Sequence, residues 1–126
     1  TDGGTAGGIA GGGVLIFSKS LTVTGGIVSN GNAGDSNTNA GAGGGGSGGS
    51  ILLVVGTATL GSSLITTTGG AGGDGNSTSD GGTGGVGRIA VHHSSAITGT
   101  SNPTFTDVTD PTLVETGGAS LLLNMI

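Results

Sequence analysis

The chain has 126 residues, 33 of them Gly, with 2 Lys or Arg against 7 Asp or Glu and a net charge of −5. So few basic residues exclude a nucleic-acid backbone or an anionic membrane surface as partner. Apolar runs such as Ile51–Val55 fall far short of the roughly 20 residues that cross a bilayer, and without Cys there is no disulfide or thiol chemistry.

Chains this rich in Gly are often flexible linkers. Here 29 residues are Leu, Ile, Val or Phe, more than a disordered chain carries, and the net charge is too small to hold the chain open. Each ordered Gly costs about 0.5–1 kcal/mol relative to Ala, so close backbone packing has to compensate. The chain starts at Thr1 with no charged stretch leading into an apolar one. That fits a processed chain or a segment of a longer one.

In chain order the sequence repeats one pattern with a period of about 38 residues. The first unit has a Gly-rich arm from Gly3 to Gly13, apolar runs at Val14–Phe17 and Ser20–Val23, then Gly25–Val28 and a loop ending at Asp35. The second has Gly41 to Gly49, Ile51–Val55, Thr57–Leu60, Ser62–Ile65 and a Gly69–Asp74 loop. A third starts at Gly81–Gly87 and Arg88–Val91, then departs after Asn102-Pro103. Beyond that point Thr104–Val108, Thr112–Val114 and Ser120–Ile126 read as strands, with turns at Asp110-Pro111 and Gly117-Gly118.

No segment has 3.6-residue apolar periodicity. The expected fold is all-β: a small β-sandwich or a solenoid-like β-sheet domain with Gly-rich extended, polyglycine or polyproline-II-like arms. Residues 1–102 form the repeats, and 103–126 are non-repeat C-terminal strands that can act as a subunit-joining segment. Four arms, 3–13, 41–49, 69–75 and 81–87, are expected to be buried against one another or against neighbouring subunits.

The runs Gly44-Gly45-Gly46-Ser47-Gly48-Gly49-Ser50-Ile51 and Gly84-Gly85-Val86-Gly87-Arg88-Ile89-Ala90-Val91 resemble the glycine-rich repeat of bacterial extracellular surface and adhesin-like proteins. The resemblance covers about residues 41–91, with a weaker copy at 3–35. It implies an extracellular structural or adhesive module and supplies no catalytic residue to transfer.

Candidate sites are few. His92 and His93 are adjacent, and neighbours on a strand point to opposite faces, so they cannot chelate one ion together and read as a solvated or hydrogen-bonded strand pair. Gly69–Asp74 matches the start of a calcium-binding nonapeptide, but Asn76 stands where that motif needs a large apolar residue; a Gly-Asp turn is the better reading. Asn76-Ser77-Thr78 is an N-glycosylation sequon in a surface loop. Arg88 is expected to meet a carboxylate such as Asp74 or Asp80, or a backbone carbonyl.

These features point to a non-enzyme with no catalytic residues, cofactor or metal. The expected function is a structural subunit of an extracellular filament or cell-surface assembly, self-associating through β-strand addition and Gly-rich packing. Its main partner would then be itself, as a homopolymer, through an interface at Leu121, Leu122, Leu123, Met125 and Ile126. The alternative is a non-catalytic adhesin that binds glycans or other surface proteins, a reading weakened by the absence of Trp and Tyr.

Overall fold

The computed structural model describes residues 4–113, and the expected C-terminal interface at Leu121–Ile126 lies outside them. Among the described residues the fold is mostly β, and no helix is long and apolar enough to cross a membrane. The strands are β1 (Gly13–Thr22), β2 (Ile27–Val28), β3 (Ser50–Thr59), β4 (Ile65–Thr66), β5 (Arg88–His93), β6 (Ile97–Thr98), β7 (Ser101–Asn102) and β8 (Thr106–Thr109). Runs expected as two strands each, Val14–Val23 and Ile51–Leu60, are single ten-residue strands. The expected strand at Thr112 does not form; Asp110–Leu113 is a turn closed by the Leu113 N–H on the Asp110 carbonyl at 3.1 Å.

The chain alternates between two compact units. Of the described residues, one holds 14–28, 51–66 and 89–113; the other holds 4–13, 29–50 and 67–88.

In the first unit the larger sheet runs β1-β3-β5-β8, with β6 also on β3, and the smaller runs β2-β4-β7. The pairs β2–β4, β3–β6, β4–β7 and β5–β8 are parallel. Parallel neighbours cannot be joined by a tight turn; the partners in β2–β4, β3–β6 and β4–β7 lie about one sequence repeat apart, whereas β8 returns beside β5 after a shorter connection. Apolar residues from three repeats therefore meet: Ile51, Leu53, Val55, Ala58, Leu60, Ile65, Ile89 and Val91 are buried, with Val14, Ile16 and Leu21 against them. A second cluster joins Val54 to Leu113, with Phe17 and Leu52 beside them. Alternate residues of β3 thus serve different clusters, as a pleated strand requires. Gly61 and Gly99 turn corresponding corners at φ of 72° and 110°, a region that L side chains rarely adopt.

The second unit contains five extended arms: arm 1 (4–12), arm 2 (29–36), arm 3 (41–49), arm 4 (67–75) and arm 5 (79–87). They hold one another mainly through backbone groups, with a few side-chain bonds such as Ser29 Oγ to the Gly12 carbonyl and the Thr68 N–H to Asn30 Oδ1. Arm 3 lies at the centre. Its Gly45 and Gly48 N–H groups donate to Gly82 and Gly85 of arm 5 at 2.9 and 2.8 Å. Its Gly46 and Gly49 donate to Asn32 and Ser29 of arm 2 at 2.8 and 2.7 Å. In return it accepts from Gly8 and Gly11 of arm 1 and from Gly70 and Gly73 of arm 4. Along arm 3 every third residue, Gly43, Gly46 and Gly49, is buried, while Gly44, Ser47 and Ser50 are exposed. Three residues per turn is the repeat of an extended helix without internal hydrogen bonds.

That period decides where Gly is obligatory. A Cβ on Gly43 or Gly46 would come within 3.0 Å of the Ala6 or Ile9 carbonyl of arm 1, and one on Gly45 or Gly48 would strike arm 4. Gly82 and Gly85 have open space around the same position. The four arms expected from the Gly tracts are present, and arm 2 is a fifth that carries only Gly31 and Gly34.

Candidate functional site

A cluster of polar side chains lies where β8 returns beside β5. His93 ends β5, and the parallel register sets Asp107 opposite Val91 and Thr109 opposite His93. The His93 side chain is buried, and its Nε2 lies 2.6 Å from Oδ1 of the more exposed Asp107. Thr109 Oγ1 is 3.3 Å from the same nitrogen, and Nδ1 faces the Ser95 carbonyl. The Asp110 N–H then donates to the His93 carbonyl at 2.7 Å.

This arrangement has His, carboxylate and hydroxyl in contact but not in the order of a proton relay. A general base needs one nitrogen towards the nucleophile and the other towards its orienting group. Here Asp107 and Thr109 share Nε2, and a backbone carbonyl occupies Nδ1. The cluster fastens β8 to the last repeat strand. His92 is half-buried where His93 is buried, and no group of three or more His, Cys, Asp or Glu among the described residues is placed to hold a metal ion.

Just beyond, Asp110 caps its own turn. Its Oδ1 accepts from the Thr112 hydroxyl at 2.5 Å and the Thr112 N–H at 2.9 Å. These bonds, the hydroxyl first, hold its carboxyl below the usual carboxylate value. The turn delivers Leu113 to its place against Val54.

The other sequence-derived sites are dispersed. Asn76 is exposed in the turn between arms 4 and 5, where its carbonyl accepts the Ser79 N–H at 2.8 Å. Asp74 sits at the end of arm 4, its N–H donating to Ser36 Oγ at 2.9 Å. Asp80 accepts the Gly75 N–H at 2.9 Å. Neither carboxylate meets Arg88, which forms no ion pair among the described residues and whose N–H donates to the Gly49 carbonyl. The expectation of an Arg88–carboxylate pair is therefore corrected: Asp80 is committed to closing its own turn.

Sequence reasoning missed the His93–Asp107 pair because it depends on β8 folding back in parallel register, and spacing alone carries no mark of that. No protein-family model, curated protein or solved structure matches this chain.

Proposed function

We propose that this chain is a non-catalytic structural subunit of an extracellular filament or cell-surface assembly. In this reading it is a short solenoid-like module with polyglycine-type arms, and copies join by β-strand addition. The observation that carries the reading is strand β1. It stands at one end of the strand order, runs for ten residues, contains one charged residue, Lys19, and leaves Leu15 56% exposed. Isolated β-proteins usually shorten, charge or bulge such an edge. Parallel pairing between successive repeats supports the solenoid-like reading, and the three-residue exposure period supports the polyglycine-type arms.

The donated strand would be residues 119–126, with Leu121, Leu122, Leu123, Met125 and Ile126 at the joint. Electron microscopy of the intact chain and of a 119–126 deletion tests this. Filaments from the intact chain and a folded, monomeric deletion product are expected. Filaments from the deletion product, or its failure to fold, would overturn strand donation by this segment.

A further inference from the structure

The large apolar side chain most exposed among the described residues is Ile9, at 74%, with Val86 next at 67%. Both lie on outer arms of the glycine unit, and the three-residue register explains them.

Arm 3 packs on arm 1 through Gly43 and Gly46, and arm 5 packs on arm 3 through Gly81 and Gly84; a Cβ at any of these would strike a backbone carbonyl of the preceding arm. The corresponding slots of arm 1, exposed among the described residues, hold Ala6 and Ile9. The same rule holds elsewhere. Gly70 and Gly73 of arm 4 face arm 2, and the corresponding outer slots of arm 2 hold Asn32 and Asp35. Gly45 and Gly48 face arm 4, and the corresponding outer slots of arm 5 hold Thr83 and Val86. In each of these slots the residue is Gly where another arm packs closely on it, and the corresponding slot at the edge of the bundle carries a side chain.

The backbone, by contrast, is ready to continue. Arm 3 donates from Gly45 and Gly48 to the next parallel arm, and the equivalent N–H groups of arm 5, on Thr83 and Val86, make no hydrogen bond among the described residues. Arm 3 accepts at Gly44 and Ser47, and the equivalent carbonyls of arm 1, on Gly7 and Ala10, accept none. Arm 5 of one copy thus matches arm 1 of another in hydrogen-bonding pattern, and only the Cβ atoms stand in the way.

We infer that Ala6 and Ile9 are steric stops that keep arm 5 of a second copy of this chain from docking on arm 1. The glycine unit is closed to growth by arm addition, and copies join, if at all, elsewhere.

A disulfide trap tests this, since the chain has no Cys of its own. Ala10→Cys and Gly85→Cys, each at an exposed position, are placed in separate full-length chains and mixed under mild oxidation. Parallel arms in contact bring such residues within disulfide range. With the native stops, the mixed disulfide should form no faster than from random collision. With Ala6→Gly and Ile9→Gly in both chains it should rise about tenfold, and with Ile9→Gly alone by less. Ile9→Ala, which removes the apolar side chain but keeps the Cβ, should stay at the native level. Equal trapping with native stops and with Gly, or equal gains from Ile9→Ala and Ile9→Gly, would overturn the inference. So would no gain from a folded double-Gly variant. The trap reads arm-to-arm contact only, so a parent chain that forms no filament counts against strand addition and leaves this comparison intact.

Discussion

The Gly46 carbonyl accepts a hydrogen bond from the Gly70 N–H at 2.8 Å, and that oxygen is also the atom a Cβ on Gly84 would strike. One oxygen therefore sets both a bond and a steric limit, and with Gly31 of arm 2, whose Cβ would strike it too, three glycines answer to it from different arms.

Substitutions at neighbouring glycines should therefore differ sharply. Gly46→Ala places a Cβ against the Ile9 carbonyl, where only backbone can yield, and should cost about 3 kcal/mol or more. Gly85→Ala meets open space and should be neutral or stabilise by about 0.4–1 kcal/mol by restricting the unfolded chain. Urea unfolding of the two variants checks both, and equal losses would refute the slot rule.

His93 and Asp107 should be coupled. Asp107→Ala leaves a buried ring nitrogen without its nearest partner, a loss of about 1 kcal/mol once the exposure of Asp107 is allowed for. A double-mutant cycle with His93→Ala should give a coupling of at least about 0.5 kcal/mol. Additive losses would show that the contact contributes nothing.

Asp110 should titrate below the ordinary carboxylate range. Its folded value is lowered, so its contribution to stability is present above the unfolded value and is lost as pH falls through the folded one. Thr112→Val removes the hydroxyl bond, keeps the N–H, and should return the titration part of the way upwards. A carboxyl-detected NMR titration that does not move in this variant would exclude the hydroxyl as the main cause.

Thr67 is fully buried, yet its Oγ1 has no hydrogen-bond partner among the described residues. Thr67→Val keeps the shape and removes the unsatisfied oxygen, and should raise stability by on the order of 1 kcal/mol. A lower melting temperature in this variant would mean the hydroxyl is satisfied in solution.

How much of this was legible in the sequence depends on the kind of contact. The strands were readable because runs such as Ile51–Val55 need burial, and four arms because their Gly tracts are dense. Arm 2 was not, since Gly31 and Gly34 look sparse until their spacing of three is set beside Gly43, Gly46 and Gly49. Density was the wrong measure and phase was the right one. The strand expected at Thr112 failed because Asp110 binds the Thr112 hydroxyl and N–H in a local turn, and such side-chain bonds compete with pairing. The His93 cluster and the Leu113–Val54 contact arise from how the chain returns, which local pattern does not encode.

The arm pairs also differ in how far apart their partners lie along the chain. Parallel arms bond across a whole repeat, as from Gly8 to Gly44 or Gly45 to Gly82, whereas arms 4 and 5 bond across a single turn, from Gly81 back to Gly73. Arms 2 and 3 do the same, from Gly43 back to Asp35. Closing a short loop costs less entropy than closing a long one, and local contacts form faster. The two turn-joined pairs are therefore the natural starting points of folding, while arm 1 is held by longer-range bonds such as Gly8 to Gly44 and Asn32 to Ile9, which close only after the intervening chain has been brought round.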